Sequence, residues 1–250
     1  MQWMGPLMSE TSRRCGHLAQ ARWPWVCAAL ILGIHGLVAF AGGPQQVPDL
    51  YLTLGLRRDE VLGGSVWQVF TYAWLHGNGW HALINALCVL ILGGRVEHLL
   101  GRAAFLATMA VGIMGGALGH MVLGGGGSGA SPLVGISGAC VALLLVITTL
   151  SPQSRMFPLP VSGRSLGLGI LSAALILALV NPQLDLPGLA HIGHALAAHG
   201  LAGWFAIGHA CHAGGGMAGG LYALWILRPG VTLERLRQQR ERREARQRVR

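Results

Sequence analysis

The stretch Ala103–Leu123 reads AAFLATMAVGIMGGALGHMVL and contains no Asp, Glu, Lys or Arg. A helix that crosses a lipid bilayer needs roughly 20 mainly apolar residues, and this stretch has that length. Five further apolar runs approach it. They are Trp23–Ala41, Gly79–Val96, Ser137–Leu150, Leu166–Val180 and Ala202–Leu227. The pattern predicts an all-α, polytopic membrane protein with six transmembrane helices.

The composition of the whole chain agrees with residence in a membrane. Of its 250 residues, 52% are hydrophobic and 11% are charged, whereas soluble domains carry roughly 25% charged residues. So few charges cannot solvate a globule of this size, which argues against an ordinary soluble enzyme. A disordered chain would combine low hydrophobicity with high net charge, so that class is excluded as well. The five cysteines show no CxxC spacing, and we interpret them as small hydrophobic side chains.

The distribution of positive charge predicts the orientation of the spans. All 18 basic residues are Arg, and the positive-inside rule places such residues mainly in cytoplasmic segments. With the N-terminus in the cytoplasm, six spans leave only Arg57 and Arg58 on the outer side. We therefore predict a cytoplasmic segment 1–22, a membrane domain 23–227 and a basic cytoplasmic tail 228–250. The net charge of +9 then indicates topology and contact with the lipid bilayer, and no nucleic-acid partner is expected.

Polar side chains inside the predicted spans are candidates for function, because burying them in hydrocarbon is costly. His81 and Asn85 are four residues apart and share one face of the second span. Ser137 opens the fourth span, and His212 lies in the sixth. A Ser hydroxyl becomes a nucleophile when a neutral imidazole accepts its proton, and the oxyanion that follows needs hydrogen-bond donors. Since the spans offer no Asp or Glu to complete a triad, the pattern permits at most a Ser–His dyad.

Span lengths place both members of this dyad below the membrane surface. The run Ser137–Leu150 extends about 21 Å, against a hydrocarbon core of about 30 Å, so Ser137 starts roughly 10 Å deep. His212 lies about ten residues into the predicted sixth span, or roughly 15 Å deep. These depths are compatible with contact. The GxxxG spacing of Gly215 and Gly219 would let the fourth and sixth spans approach closely.

Three motifs, taken together and in this order, resemble the rhomboid family of intramembrane serine proteases. They are His76–Asn85 (HGNGWHALIN), Gly135–Gly138 (GISG) and His209–Gly215 (HACHAGG), the last followed by Gly219. The resemblance covers most of the chain. It implies hydrolysis, without a cofactor or metal, of peptide bonds in or near the transmembrane segments of single-span membrane proteins. It also implies an integral protein of a bacterial inner (plasma) membrane, with both termini in the cytoplasm.

The resemblance also implies a role for each matching residue. It makes Ser137 the nucleophile and His212 the general base. His81 and Asn85 resemble the pair that stabilises the oxyanion, joined by the backbone N–H of Ser137, and Gly135 resembles the residue that keeps this site open. The supporting residues are His76, Gly138, His209, Gly215 and Gly219.

The segment Asn181–Leu201 departs from the family pattern, because it is long and holds His191, His194 and His199. The run Ala190–His194 is similar to the His motif, which makes His191 an alternative base; we favour His212. Two other functions remain as alternatives. One is a catalytically inactive rhomboid relative that binds membrane proteins. The other is a His-rich membrane protein that binds haem or a transition metal.

Overall fold

The structure is a computed structural model, and it describes residues 21–124, 131–156 and 160–228. Within these ranges the chain is mainly helical, and its β-pairing is limited to two isolated β-bridges. The predicted cytoplasmic segment 1–22, apart from its last two residues, lies outside the described residues. So do most of the glycine-rich stretch before Ser137 and the tail beyond Arg228.

Ten helices follow one another along the described chain. They are α1 (Arg22–Phe40), α2 (Pro48–Leu54), α3 (Arg58–Leu62), α4 (Gln68–Thr71), α5 (Gly79–Leu100), α6 (Arg102–Leu123), α7 (Ser137–Leu150), α8 (Gly163–Leu179), α9 (Leu189–Leu196) and α10 (His209–Ile226). A π-helical stretch, Val89–Gly93, lies inside α5. Short 3-10 turns occur at Pro44–Gln46, Tyr72–Trp74, Pro182–Leu184 and Ala202–Ala206.

The long helices correspond to the six predicted spans. Among the described residues, α1, α5 and α6 are long and apolar enough to cross a membrane, and α7 and α8 are shorter apolar helices. The predicted bounds of the fourth span match α7. Helix α8, which corresponds to the predicted fifth span, begins at Gly163 rather than at Leu166, because the Ser162 hydroxyl accepts a hydrogen bond from the Ser165 N–H and caps the helix. The count of six spans stays a prediction.

The predicted start of the sixth span at Ala202 is wrong. Residues Ala202–Ala206 form a 3-10 turn, Ile207 is extended, and α10 begins only at His209. Hydropathy missed this break because the intervening residues are apolar although they are not α-helical. His212 therefore lies in the first turn of α10, and the estimate that put it ten residues into the span is corrected.

The first half of α10 packs against α6 and α7 through glycine. A Cβ atom on Gly215 would overlap the backbone of Gly138, and one on Gly219 would lie 2.5 Å from the Cα and O atoms of Ala142. On the other side, Gly214 lies directly against the backbone of Gly119. The predicted close approach of the fourth and sixth spans is confirmed.

The long segment between α1 and α5 is folded against the rest of the molecule. Buried Gln68 joins its parts: its Nε2 donates to the carbonyl oxygens of Leu52 and Thr53, and its Oε1 accepts from the Arg57 N–H. Leu56 also forms an antiparallel bridge with Leu133 through two hydrogen bonds of 2.9 and 3.0 Å. This bridge ties the segment to the residues that precede α7.

Candidate active site

Ser137 and His212 lie at the starts of two neighbouring helices. Ser137 is the first residue of α7, and His212 is in the first turn of α10. The Nε2 atom of His212 is 2.8 Å from the Oγ atom of Ser137, which is hydrogen-bond distance. Gly138 follows Ser137 directly, and Gly215 lies three residues after His212. Because these two glycines bring the helix backbones into contact, the Ser–His pair is held by main-chain packing. A neutral imidazole so placed can accept the Ser proton.

The helix start at Ser137 also places hydrogen-bond donors beside the hydroxyl. The first N–H groups of an α-helix have no partner within the helix and carry the positive end of its dipole. They can stabilise a negative charge that develops next to Ser137.

A second group of donors faces the same place from α5. A Cβ atom on Gly135 would lie 2.8 Å from His81 Nε2 and 3.5 Å from Asn85 Nδ2, so these three residues border one small space. Asn85 is buried, and its Nδ2 has no hydrogen-bond partner among the residues that the structure describes. Its carbonyl oxygen is 3.8 Å from the Cys140 thiol. A buried amide with a free N–H is suited to receive a developing oxyanion.

Gly135 has a backbone conformation that other residues rarely adopt. Its φ is +113°, and its N–H donates to the Tyr72 carbonyl oxygen at 2.9 Å. Any side chain here would be strained and would collide with the His81 ring. The glycine therefore leaves open the space that His81 and Asn85 border.

His76 packs behind His81. The two rings lie edge to face with their centres 5.0 Å apart, and His76 is buried. Its backbone oxygen accepts a hydrogen bond of 2.7 Å from the Tyr51 hydroxyl. Burial raises the pKa of Tyr51, which keeps that hydroxyl protonated as a donor. The Asn78 side chain accepts from the His81 N–H and caps α5, which fixes the start of the helix that carries His81.

The other histidines considered for the site in the sequence analysis divide into two groups. His209 contacts the site: its ring is 6.0 Å from the His212 ring and nearly perpendicular to it, and its Nε2 donates to the Trp204 carbonyl oxygen. His191, His194 and His199 are exposed on and after α9, away from Ser137. Across residues 21–124, 131–156 and 160–228, no three His, Cys, Asp or Glu side chains are grouped to hold a metal ion.

A cavity of about 920 Å³ joins these residues. Ser137, His212, His81 and Asn85 line it, so the structure brings the four main predicted site residues to one surface. Gly135 borders the cavity, and His76 and His209 pack against the rings of His81 and His212. The contact between α7 and α10 is formed by Gly138, Gly215 and Gly219. Further walls come from segments 56–59, 131–134, 181–184 and 205–210.

Sequence reasoning missed the contribution of Tyr72. Its carbonyl holds Gly135, while its buried hydroxyl donates to the Ile113 carbonyl at 2.8 Å and lies 3.7 Å from Cys211 Sγ. Tyr72 thus connects the loop before Ser137 to α6 and α10. No local pattern marks such a residue, because all of its partners are distant in the chain.

A family model described as the rhomboid domain matches residues 63–229, about two-thirds of the chain. The chain belongs to the rhomboid family. It is therefore an integral membrane protein with the polytopic helical bundle of rhomboids, and it is an intramembrane protease or a related protein. Rhomboids are generally serine proteases that act on membrane proteins within the bilayer, and inactive members exist. A comparison with curated protein sequences found no matching relative.

The matched range of the rhomboid domain contains all the motifs described above. It begins at Gly63, so α1, α2 and α3 precede it, and it ends just beyond α10.

Proposed function

We propose that this rhomboid is an active serine endopeptidase that uses a Ser137–His212 dyad. The observation that carries the proposal is the 2.8 Å distance between His212 Nε2 and Ser137 Oγ at the surface of a cavity. The unpartnered N–H group of Asn85, on the same cavity, supports it.

In the first half of the reaction, Ser137 Oγ attacks the carbonyl carbon of the scissile peptide bond while His212 Nε2 takes its proton. The carbonyl oxygen becomes an oxyanion, which accepts hydrogen bonds from His81, Asn85 and the backbone N–H of Ser137. The C–N bond then breaks as His212 returns the proton to the leaving amine. In the second half, a water molecule attacks the acyl carbon while His212 takes its proton. The ester C–O bond then breaks, and His212 returns the proton to Ser137 Oγ.

The absence of an acidic residue beside the base distinguishes this dyad from a Ser–His–Asp triad. No Asp or Glu lines the cavity next to His212 among the described residues; the one cavity-lining carboxylate, Asp59, is paired with Arg57. His209 packs edge-on against the His212 ring and is itself held by Trp204. We assign His209 the supporting role of restricting the orientation of that ring.

The proposed substrates are single-span membrane proteins. A cleavage site inside a helix must unwind before its carbonyl can reach Ser137, and the polar walls around it would admit the necessary water. We further propose that residues 23–227 form the membrane domain, with both termini in the cytoplasm of a bacterial cell. Most of the Arg residues then face the cytoplasm, as the positive-inside rule expects.

The test compares the purified full-length protein with its Ser137→Ala variant on a single-span model substrate in detergent. We expect cleavage by the wild type and a loss of about 10³-fold or more in the variant, because the nucleophile is gone. Ser172→Ala, at an exposed position on α8, is the matched control and should cleave normally. Equal cleavage by wild type and Ser137→Ala would refute the proposal. A wild type that binds substrates without cleaving them would instead identify an inactive relative.

A further inference from the structure

Two arginines do not follow the predicted charge distribution. Arg57 and Arg58 fall on the outer side of the membrane, whereas the other Arg residues fall on the inner side. In the structure both line the same cavity as Ser137 and His212, and so does Asp59. Their place at the candidate active site points to a role in the site rather than in membrane topology.

Only one of these two arginines is neutralised by its surroundings. Arg57 binds Asp59 at 3.0 Å and Glu60 at 3.3 Å. The exposed Arg58 side chain makes no ion pair or hydrogen bond with any part of the chain that the structure describes. Among the charged residues that line the cavity, Arg57 and Asp59 pair with each other, and Arg58 is the one without an ion-pair partner in the described ranges.

The backbone limits how far Arg58 can lie from Ser137. Leu56, two residues before Arg58, is bridged to Leu133, four residues before Ser137. With about 3.3 Å per extended residue and about 5 Å across the bridge, the Arg58 and Ser137 backbones are at most about 25 Å apart. An extended substrate segment of several residues can therefore touch both.

We propose that Arg58 is a specificity-determining residue that binds an acidic side chain in the outer juxtamembrane segment of the substrate. A guanidinium forms charge-assisted, often bidentate hydrogen bonds with a carboxylate, and Arg58 has all of its donors free for one. The preferred substrates are thus single-span membrane proteins that carry Asp or Glu several residues outward from the cleaved bond. This inference rests on the proposed function for its biological meaning, but the recognition can be measured without cleavage.

The experiment measures binding to the full-length Ser137→Ala protein in neutral-lipid nanodiscs. The probes are labelled single-span peptides that carry one Asp, or the matched Asn, at successive outer juxtamembrane positions. For at least one position we expect the Asp peptide to bind about fivefold more tightly than the Asn peptide, the upper range for an exposed ion pair. The preference should disappear with the added substitution Arg58→Gln. With Arg58→Glu, a further peptide that carries Lys at the same position should bind more tightly than the Asn peptide. Arg164→Gln, an exposed Arg remote from the cavity, should leave the preference for Asp unchanged.

Three results would overturn the proposal. One is equal binding of Asp and Asn peptides at every position. Another is a preference that survives Arg58→Gln. The third comes from repeating the measurement in nanodiscs of anionic lipid. There, a loss of binding in Arg58→Gln that is equal for both peptides and absent in neutral lipid would assign Arg58 to a lipid headgroup. If the preference is present but the wild type cleaves no peptide, Arg58 recognition stands and the proposed protease activity fails.

Discussion

Gly135 shows how a single position controls the site. Its φ of +113° and its closeness to the His81 ring exclude any side chain. The residue is glycine for two separate reasons, backbone conformation and space, and a suitable control can separate them. Gly64 has almost the same φ, +112°, but no atom lies within 4 Å of the position its Cβ would take.

We expect Gly135→Ala to lower cleavage by about 10²-fold, comparable to the loss of one oxyanion donor. The new methyl group would push the His81 ring away from the oxyanion. Gly64→Ala carries the same backbone strain without the collision, so it should lower stability slightly and leave cleavage nearly unchanged. Rates of substrate cleavage, with thermal unfolding in the same detergent, test the pair. Equal rates for the two variants would contradict this explanation.

The choice between His212 and His191 as the base is also a matter of single residues. The imidazole of His212 contacts Ser137 Oγ, while His191 is exposed on α9. We expect His212→Ala to reduce cleavage by about 10³-fold or more and His191→Ala to leave it within about twofold. The assignment is wrong if cleavage depends on His191 and not on His212.

Helix α10 depends on close backbone contact with α7 for its position. Gly215 and Gly219 lie on the face that meets Gly138 and Ala142, so any side chain on that face separates the helices. Since Ser137 and His212 sit at the adjacent ends of these two helices, such a separation also lengthens the distance between their side chains.

We predict that Gly219→Ala destabilises the protein by about 1–3 kcal/mol, the usual cost of overpacking, and lowers cleavage as well. Its Cβ would lie 2.5 Å from backbone atoms of Ala142, which cannot rotate away. Gly220→Ala is the matched control on the same helix, because its Cβ would meet nothing within 4 Å. Its unfolding temperature should stay equal or rise slightly. Thermal unfolding of both variants measures the difference, and a Gly219→Ala protein as stable as Gly220→Ala would exclude tight packing here.

In the molecule as a whole, the asymmetry of charge and the location of the site lead to one topology. The proposed topology, with six spans and both termini in the cytoplasm, would put Arg57, Arg58 and the cavity on the outer side. An odd number of spans would move the basic tail outside, against the positive-inside rule.

We expect a fluorescent reporter fused after Arg250 to fold in the cytoplasm, and a periplasmic phosphatase fused after Gly64 to be active. Gly64 lies in the segment between the first two predicted spans, which this topology places outside. A phosphatase fused after Pro152, between the fourth and fifth spans, should be inactive. The reverse pattern would refute the assigned orientation.

Local sequence patterns are enough to predict the helical class, most helix bounds and the candidate site residues. Apolar length predicts the spans, and the apolar run Ser137–Leu150 has the same bounds as α7. The motifs around His81, Ser137 and His212 were recognisable because each is short and contiguous. By contrast, the start of α10 at His209 was missed, since an apolar segment conceals a break in the helix from any hydropathy average.

Other features exist only because distant parts of the chain meet. Nothing local to Tyr72 indicates that it holds Gly135, nor does anything near Arg57 and Arg58 indicate that they line the cavity of Ser137. The 2.8 Å contact between Ser137 and His212 likewise joins residues 75 positions apart. A sequence pattern reports which side chains can do chemistry and which segments prefer hydrocarbon. The distances between those side chains depend on helix packing. That packing is set by contacts between glycines that are far apart in the chain.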